Sequence, residues 1–154
     1  RRDGHRFRMD VFLRRLAWCG LAMLLMTNAA RAAGAMKPSV PAARTEIHAV
    51  VQAQLQALRD GAFPAAYALA AEGIREKFTL EAFVKMVQGT YPELARHVRA
   101  ELGSAVDDGS AAMISVRVTL RDGSSVRYRY LLQREAAGWR ISGVVGEKRP
   151  LNEV

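Results

Sequence analysis

The chain has 154 residues, half of them hydrophobic, and a formal charge of +8. Residues 1–32 hold seven of the 23 basic residues and two of the 15 acidic ones, which leaves 16 and 13, a net charge of +3, for the remainder. This balance argues against nucleic-acid binding, and because the only cysteine is Cys19, the remainder has no thiolate for a disulfide, a nucleophile or a metal.

The segment from Met9 to Ala32 has the pattern of an export signal. Arg14 and Arg15 precede an apolar run over residues 16–26, and Ala30-Arg31-Ala32 supplies a small-x-small cleavage site. The run is shorter than the roughly 20 residues that span a bilayer. The sequence therefore predicts that residues 1–32, an N-terminal extension plus signal peptide, are removed after Ala32. The product is expected in the periplasm or the medium, with no stable membrane anchor.

The rest of the chain is long enough for one domain with its own core. Residues 33–44, with Pro38 and Pro41 among small residues, are typical of a flexible leader. We expect a single domain over 45–147 and a C-terminal tail over 148–154.

Three helices are predicted in the first half of this domain. The first begins at the cap residue Thr45 and stops at Asp60-Gly61, because apolar residues recur between them at helical spacing. A short second helix follows Pro64 and is broken by Gly73. The third is capped by Thr79 and ends at Gly89, after which Tyr91-Pro92 turns the chain.

From residue 98 onward the hydrophobic pattern changes to period two, which indicates strands. The apolar residues occupy even positions and switch to odd ones in the last strand, at Trp139, Ile141 and Val145. The even set is Val98, Ala100, Leu102, Ile114, Val116, Val118, Leu120, Val126, Tyr128, Tyr130 and Leu132. Short turns between four such strands predict an antiparallel meander.

This parity also predicts which residues lie opposite each other, since a one-residue slip would invert a face. We expect Leu102 opposite Ile114, Val118 opposite Tyr128, Leu132 opposite Ile141 and Tyr130 opposite Gly143, whose missing side chain would leave room for the ring. The residues expected to be buried together are Val116, Val118, Tyr128, Tyr130 and Ile141.

The fold class predicted is α+β, with three N-terminal helices packed on one face of a curved antiparallel sheet of about four strands. The order of elements and the segment over residues 74–96 resemble the nuclear transport factor 2-like (SnoaL-like) cone superfamily, a cystatin-like arrangement. More narrowly, they resemble the bacterial family called domain of unknown function 4864. The residues that carry the resemblance are Asp60, Ile74-Arg75, Phe78, Phe83, Met86-Val87 and Tyr91-Pro92.

Enzymes of that superfamily place Asp, His and Tyr side chains in the cone, so the resemblance offers candidate catalytic residues: Asp60, Tyr67, Tyr128 and Tyr130. Asp60 also fits a helix-ending turn residue, and tyrosines on an inward face are more often core residues than ligand contacts. His48 is expected on the polar side of the first helix, and His97 is expected to point away from the helices. The sequence has no metal-ligand spacing and no nucleotide-binding motif, so no metal or cofactor is predicted.

The outer face of the sheet is expected to carry a row of arginines. The predicted registers put Arg99 opposite Arg117 and Arg117 opposite Arg129, with Arg127 on the same face. Like charges opposed on a sheet are destabilising. One interpretation is a solvated face. The other is a surface for an anion or a partner, including a second copy, since members of the superfamily commonly dimerise through this face.

Two functions remain open at this point. The favoured one is an exported, non-enzymatic module that binds an unknown small ligand or protein and forms a candidate homodimer. The alternative is a cone-type isomerase, dehydratase or hydrolase acting on a small apolar substrate. An open cavity with a carboxylate at its base would favour the enzyme. The enzyme would be disfavoured if large side chains filled the cone, namely Phe63, Phe83, Met86, Tyr128 and Trp139.

Overall fold

The structure is a computed structural model that describes residues 34–147, so the predicted signal segment and C-terminal tail lie outside the described residues. The fold is α+β, with the helices before the main sheet. The helices are α1 (Pro41–Arg59), α2 (Phe63–Ala68), α3 (Glu72–Lys77), α4 (Leu80–Thr90) and α5 (Pro92–Arg96). The strands are β1 (Lys37–Pro38), β2 (Arg99–Asp107), β3 (Ala111–Thr119), β4 (Ser125–Glu135) and β5 (Gly138–Glu147), antiparallel in that order across one sheet.

The first helix starts earlier than the sequence predicts. Pro41 occupies the start of α1, where its fixed φ suits a helix and its missing N–H is not needed. Thr45 is therefore inside the helix, and its hydroxyl donates to the Pro41 carbonyl at 3.0 Å instead of capping. Part of the predicted leader is also structured, because Lys37 and Pro38 pair with β2.

Two short helices were not predicted. The prediction that Gly73 ends the second helix is wrong, because α2 already ends at Ala68 and Gly73 lies in the first turn of α3. Pro92 starts α5 where a simple turn was expected. Helices of five or six residues leave too few apolar positions for periodicity to detect. The third predicted helix is α4, and Thr79 caps it by accepting a hydrogen bond from the Ala82 N–H at 3.2 Å.

One face of the sheet packs against the helices, as the parity predicts. Val116, Val118, Tyr128, Tyr130 and Ile141 all belong to one buried cluster. The apolar stripe of α1 covers that face with Ile47, Val51, Leu55 and Leu58. No helix within the described residues is long and apolar enough to cross a membrane.

Two of the predicted registers are wrong by two residues. Leu102 pairs with Val116, and Val118 pairs with Val126. A shift of two keeps each side chain on its predicted face, which is why the core is still right. The β3–β4 turn is tighter than expected, because the Leu120 N–H donates to the Ser124 carbonyl at 2.8 Å. In β2, an irregularity between Leu102 and Ala105 shifts the pairing again.

A bulge in β5 changes the last register. Leu132 pairs with Ile141 as predicted, but Leu131 pairs with Gly143 and leaves Ser142 as the extra residue. Tyr130 consequently lies opposite Val144, and the prediction that Gly143 makes room for its ring is wrong. The bulge also reverses the alternation, so Val145 is 51% exposed instead of buried.

Candidate functional site

A cavity of about 220 Å³ lies between the helices and β5. Its floor is formed by buried residues, and its mouth by residues that are partly exposed. The floor consists of Gln54, Leu58, Ala70, Phe83, Val87, Leu94 and Ile141; the mouth consists of Ile74, Phe78, Met86, Tyr91, Gly143 and Val144.

The helical repeat and the strand bulge together build these walls. Phe83, Met86 and Val87 are spaced three and four residues apart on α4, which puts them on one face. On the β5 side, the bulge at Ser142 brings the backbone of Gly143 and the side chain of Val144 to the cavity.

The polar groups at this cavity are few and uncharged. Gln54 is 3% exposed, and its Nε2 donates to the Ala66 carbonyl at 3.2 Å. At the mouth, the Tyr91 hydroxyl donates to the Val144 carbonyl at 3.0 Å. Among the described residues, no carboxylate, imidazole, amine or guanidinium lines the cavity. The cavity thus suits an apolar molecule better than a charged one.

The large side chains expected to fill the cone do so only in part. Phe83, Tyr128 and Trp139 are buried in the core, and Phe63 and Met86 pack against it while half-exposed. The cavity remains open beside Phe83 and Met86.

Asp60 is at the surface, at the C-terminal cap of α1. Its carboxylate accepts a hydrogen bond from Gln56 Nε2 at 2.6 Å and lies 3.8 Å from Arg59 Nε. Asp60 does not line the cavity.

Tyr67 lies behind the cavity wall. Its hydroxyl is 2.6 Å from the Phe78 carbonyl oxygen and 3.0 Å from that of Arg75, and its ring packs edge-on against Phe83 with centroids 5.5 Å apart. These contacts hold the segment after α3 in place, and the partners of the Tyr67 hydroxyl are backbone carbonyl groups.

Tyr128 and Tyr130 are in the core under the helices, away from the cavity lining. The Tyr128 hydroxyl donates to a Glu93 carboxylate oxygen at 2.6 Å, whereas the Tyr130 hydroxyl has no partner among the described residues. Burial raises the pKa of both phenols, and for Tyr128 the Glu93 carboxylate raises the pKa further. Both therefore stay protonated at neutral pH. The structure does not bring the four candidate residues together around one space.

Besides Ser39 in the predicted leader, sequence reasoning missed two buried polar residues. His97 precedes β2 and is 3% exposed, contrary to the prediction that it points away, and its Nδ1 lies 2.9 Å from the Leu94 carbonyl. Burial, and to a lesser degree the charge of Arg59, lowers the pKa of His97. Gln54 had a signal in the sequence: it interrupts the apolar stripe of α1 between Val51 and Leu58.

The arginines lie on the exposed outer face, but not in the predicted pairs. Arg117 is opposite Arg127 on one side and Glu101 on the other. Arg99 is opposite Thr119, and Arg129 is opposite Ser115. The cause is the two-residue shift in both registers.

Carboxylates of the same chain accompany most of these arginines. Arg99 pairs with Glu101 at 2.7 Å, and Glu147 lies 2.9 Å from Arg129 and 3.8 Å from Arg127. Within residues 34–147, Arg117 has no such ion pair, and it borders a shallow depression of about 300 Å³. The same residues contain no group of three or more His, Cys, Asp or Glu side chains placed to hold a metal ion.

Two solved structures resemble this fold at low sequence identity. A SEC-C motif containing protein from Rhodopseudomonas palustris superposes with a TM-score of 0.53 at 14% identity, over 70% of this chain and 81% of that one. Aln2 from a Streptomyces species superposes with a TM-score of 0.50 at 19% identity, over 73% and 94%. At these identities the likeness concerns the fold alone.

No curated protein matches the chain. The model of one protein family does match, over residues 41–154, which is most of the chain and includes helices α1–α5 and strands β2–β5. The chain therefore belongs to the family described as domain of unknown function DUF4864.

Proposed function

We propose that this domain binds a small apolar molecule in the cavity between its helices and β5. The observation that carries the proposal is a space of about 220 Å³ with an almost wholly apolar lining and a mouth of partly exposed residues. An apolar cavity of about 150 Å³ in a protein core is enough to bind benzene. The space thus suits one ring with a short substituent.

The chemistry of the lining supports binding over catalysis. An isomerase, dehydratase or hydrolase needs a group that takes or gives a proton within hydrogen-bond reach of the substrate. The Gln54 amide does not titrate near neutral pH, and Asp60 lies at the surface. The only hydroxyl among the described lining residues is that of Tyr91, and it already donates to the Val144 carbonyl at 3.0 Å.

A plugging variant tests the proposal with toluene as the probe. Met86→Trp places a large ring at the mouth, where Met86 is partly exposed and lines the opening of the cavity. We expect the wild-type protein to bind toluene in an NMR titration and Met86→Trp to bind at least tenfold more weakly. The matched control is Met113→Trp, on the outer face of the sheet, which should bind as the wild type does.

Absence of toluene binding by a folded wild-type protein would refute the proposal. Equal binding by both tryptophan variants would refute the location, because it would show that the probe occupies another site. Circular dichroism of each variant confirms that the comparison concerns folded protein.

We further infer that the fold is a cone of the nuclear transport factor 2-like type. The support is the order of elements, with helices first and a long antiparallel meander after them, and a cavity between the two layers. The resemblance implies that enzymes of that superfamily project polar side chains into this space, which agrees with a cavity between the two layers. An experimental structure that superposes poorly on such cones would contradict this assignment.

A second candidate function is self-association through the outer sheet face. The specific observation is the direct pairing of Arg117 with Arg127 on an exposed surface, with no carboxylate of the described residues bonded to Arg117. A second copy that presents a carboxylate would neutralise this charge; Glu101 could do so only by leaving Arg99, which it contacts at 2.7 Å in its own chain. Sedimentation of the wild-type protein at low and high salt tests it, since a dimer held by charge should dissociate as salt screens the contact.

Export is the remaining proposal, and its support is the pattern from Met9 to Ala32. We propose that cleavage after Ala32 releases the domain into the periplasm or the medium. N-terminal sequencing of the mature protein should begin at Ala33. A chain that keeps residues 9–32 in a secreting host would contradict it.

A further inference from the structure

We propose that the cavity selects a neutral molecule with a single ring or similar bulk and one hydroxyl group, and that Gln54 binds that hydroxyl. This inference rests on the proposed binding function and specifies the chemistry of its ligand. It follows from three properties of the cavity: its size, the absence of charge in its lining, and one buried amide with bonding capacity to spare.

The Gln54 side chain is polar in a place where the helix pattern calls for an apolar residue. It lies on the buried stripe of α1, three residues after Val51 and four before Leu58. An amide offers two N–H donors and a carbonyl acceptor. Among the described residues it makes one hydrogen bond, from Nε2 to the Ala66 carbonyl at 3.2 Å. Its Oε1 and second N–H therefore remain for another partner.

Burial makes such a partner favourable, because a polar group held away from bulk water without a hydrogen bond costs free energy. Gln54 is 3% exposed, and it lines the cavity. The group that completes its bonding thus lies in the cavity itself, where a hydroxyl can both donate to Oε1 and accept from Nε2.

Within residues 34–147, the remaining lining offers no partner of opposite charge to an ionised ligand. No ionisable side chain of opposite sign is present among the described lining residues to pair with a carboxylate or an ammonium. The Tyr91 hydroxyl is at the mouth and already donates to Val144. A ligand with a polar group at one end and an apolar body matches this distribution.

The test compares four probes of one shape: toluene, benzyl alcohol, benzoate and benzylamine. For the wild-type protein, we expect benzyl alcohol to bind at least as tightly as toluene despite its stronger hydration, and the two charged probes to bind at least tenfold more weakly. In Gln54→Met, the ratio of the toluene Kd to the benzyl alcohol Kd should fall at least tenfold. The control is Gln52→Met, an exposed residue of the same helix, which should leave the ratio unchanged.

A second measurement uses the unmodified protein and so does not depend on how the variant folds. The side-chain amide protons of Gln54 should shift further downfield on saturation with benzyl alcohol than with toluene, because both probes bring an aromatic ring but only the alcohol adds a hydrogen bond. If toluene binds but the ratio and these resonances do not respond as described, this inference fails while the proposed binding function stands. If toluene does not bind at all, both fail.

Discussion

Tyr128 and Tyr130 lie two residues apart on the buried face of β4, but their hydroxyl groups meet different surroundings. The Tyr128 hydroxyl donates to Glu93 at 2.6 Å and ties the start of α5 to the sheet. The Tyr130 hydroxyl is fully buried without a partner among the described residues. A buried hydroxyl stabilises a fold only when it is bonded. Replacing each tyrosine by phenylalanine therefore compares the loss of a bonded hydroxyl with the loss of an unbonded one.

We expect Tyr128→Phe to lower the free energy of unfolding by about 1.5 kcal/mol, since it removes a hydrogen bond to a carboxylate. Tyr130→Phe removes an unpaired polar group and should leave the free energy of unfolding unchanged or raise it by up to about 1 kcal/mol. Urea denaturation of both variants measures the difference. Equal losses would show that Tyr130 has a partner, such as a bound water.

His97 gives the fold a dependence on pH. Burial, and then the charge of Arg59, lowers the pKa of His97 below its usual 6.5, although the Leu94 carbonyl opposes this shift. The unfolded chain then binds a proton more readily than the native one. The stabilising contribution is fully present above pH 6.5 and is lost as the pH falls from there toward the native pKa.

Stability should accordingly decrease between pH 7.5 and pH 5.5, where few carboxylates titrate. His97→Asn keeps a donor for the Leu94 carbonyl but has no proton to gain, so its urea midpoint should change less over this window. A variant at position 97 with an unchanged pH dependence would contradict this account.

At the scale of single elements, α4 matters most to the candidate site because it supplies Phe83, Met86 and Val87 to the cavity wall. Its start is fixed by Thr79, whose hydroxyl accepts a hydrogen bond from the Ala82 N–H. With eleven residues, the helix is too short to be stable without its cap and its packing.

Thr79→Ala should lower the free energy of unfolding by about 1 kcal/mol, the usual cost of removing an N-cap side chain. Thr79→Ser keeps the oxygen and should lose much less. Thermal and urea denaturation of the two variants compare them. If serine and alanine destabilise equally, the effect arises from the lost methyl group instead of the cap.

At the scale of the whole molecule, the two faces of the sheet differ in kind. One face is covered by the helices and holds the core. The other face exposes four arginines to solvent: Arg99, Arg117, Arg127 and Arg129. Like charges held side by side on a sheet cost a few tenths of a kcal/mol. The arrangement is then either a tolerated solvated surface or one used for association.

Arg117→Ser separates these possibilities. It relieves repulsion with Arg127 but also removes the attraction to Glu101 on the other side, so the free energy of unfolding at low salt should change by no more than a few tenths of a kcal/mol. If the face binds a second copy, the variant should also dissociate to monomer in sedimentation, and the difference from wild type should shrink at high salt. Arg121→Ser, in the exposed β3–β4 turn, is the control. If the wild type and both variants are monomers at low and high salt, the arginine face is a solvated surface that is not used for association.

The period of the hydrophobic pattern determined the fold class and the core. Residues such as Val116, Val118 and Tyr130 alternate with polar neighbours, and alternation is a local property that fixes which face of a strand is buried. The helix cap at Thr79 could also be predicted from the sequence, because it depends only on the Thr79 hydroxyl and the N–H group three residues later. The resemblance over residues 74–96 was enough to assign the family.

Tertiary structure alone decided the registers and the site. A shift of two residues preserves every face, so parity cannot distinguish Val126 from Tyr128 as the partner of Val118; the hydrogen bonds of the turn choose between them. The bulge at Ser142 likewise leaves no local signature, yet it reverses the faces of Val144 and Val145 and helps to open the cavity. That cavity is space left between α1, α4 and β5, and the volume between elements depends on how they pack, which no single segment of the sequence encodes.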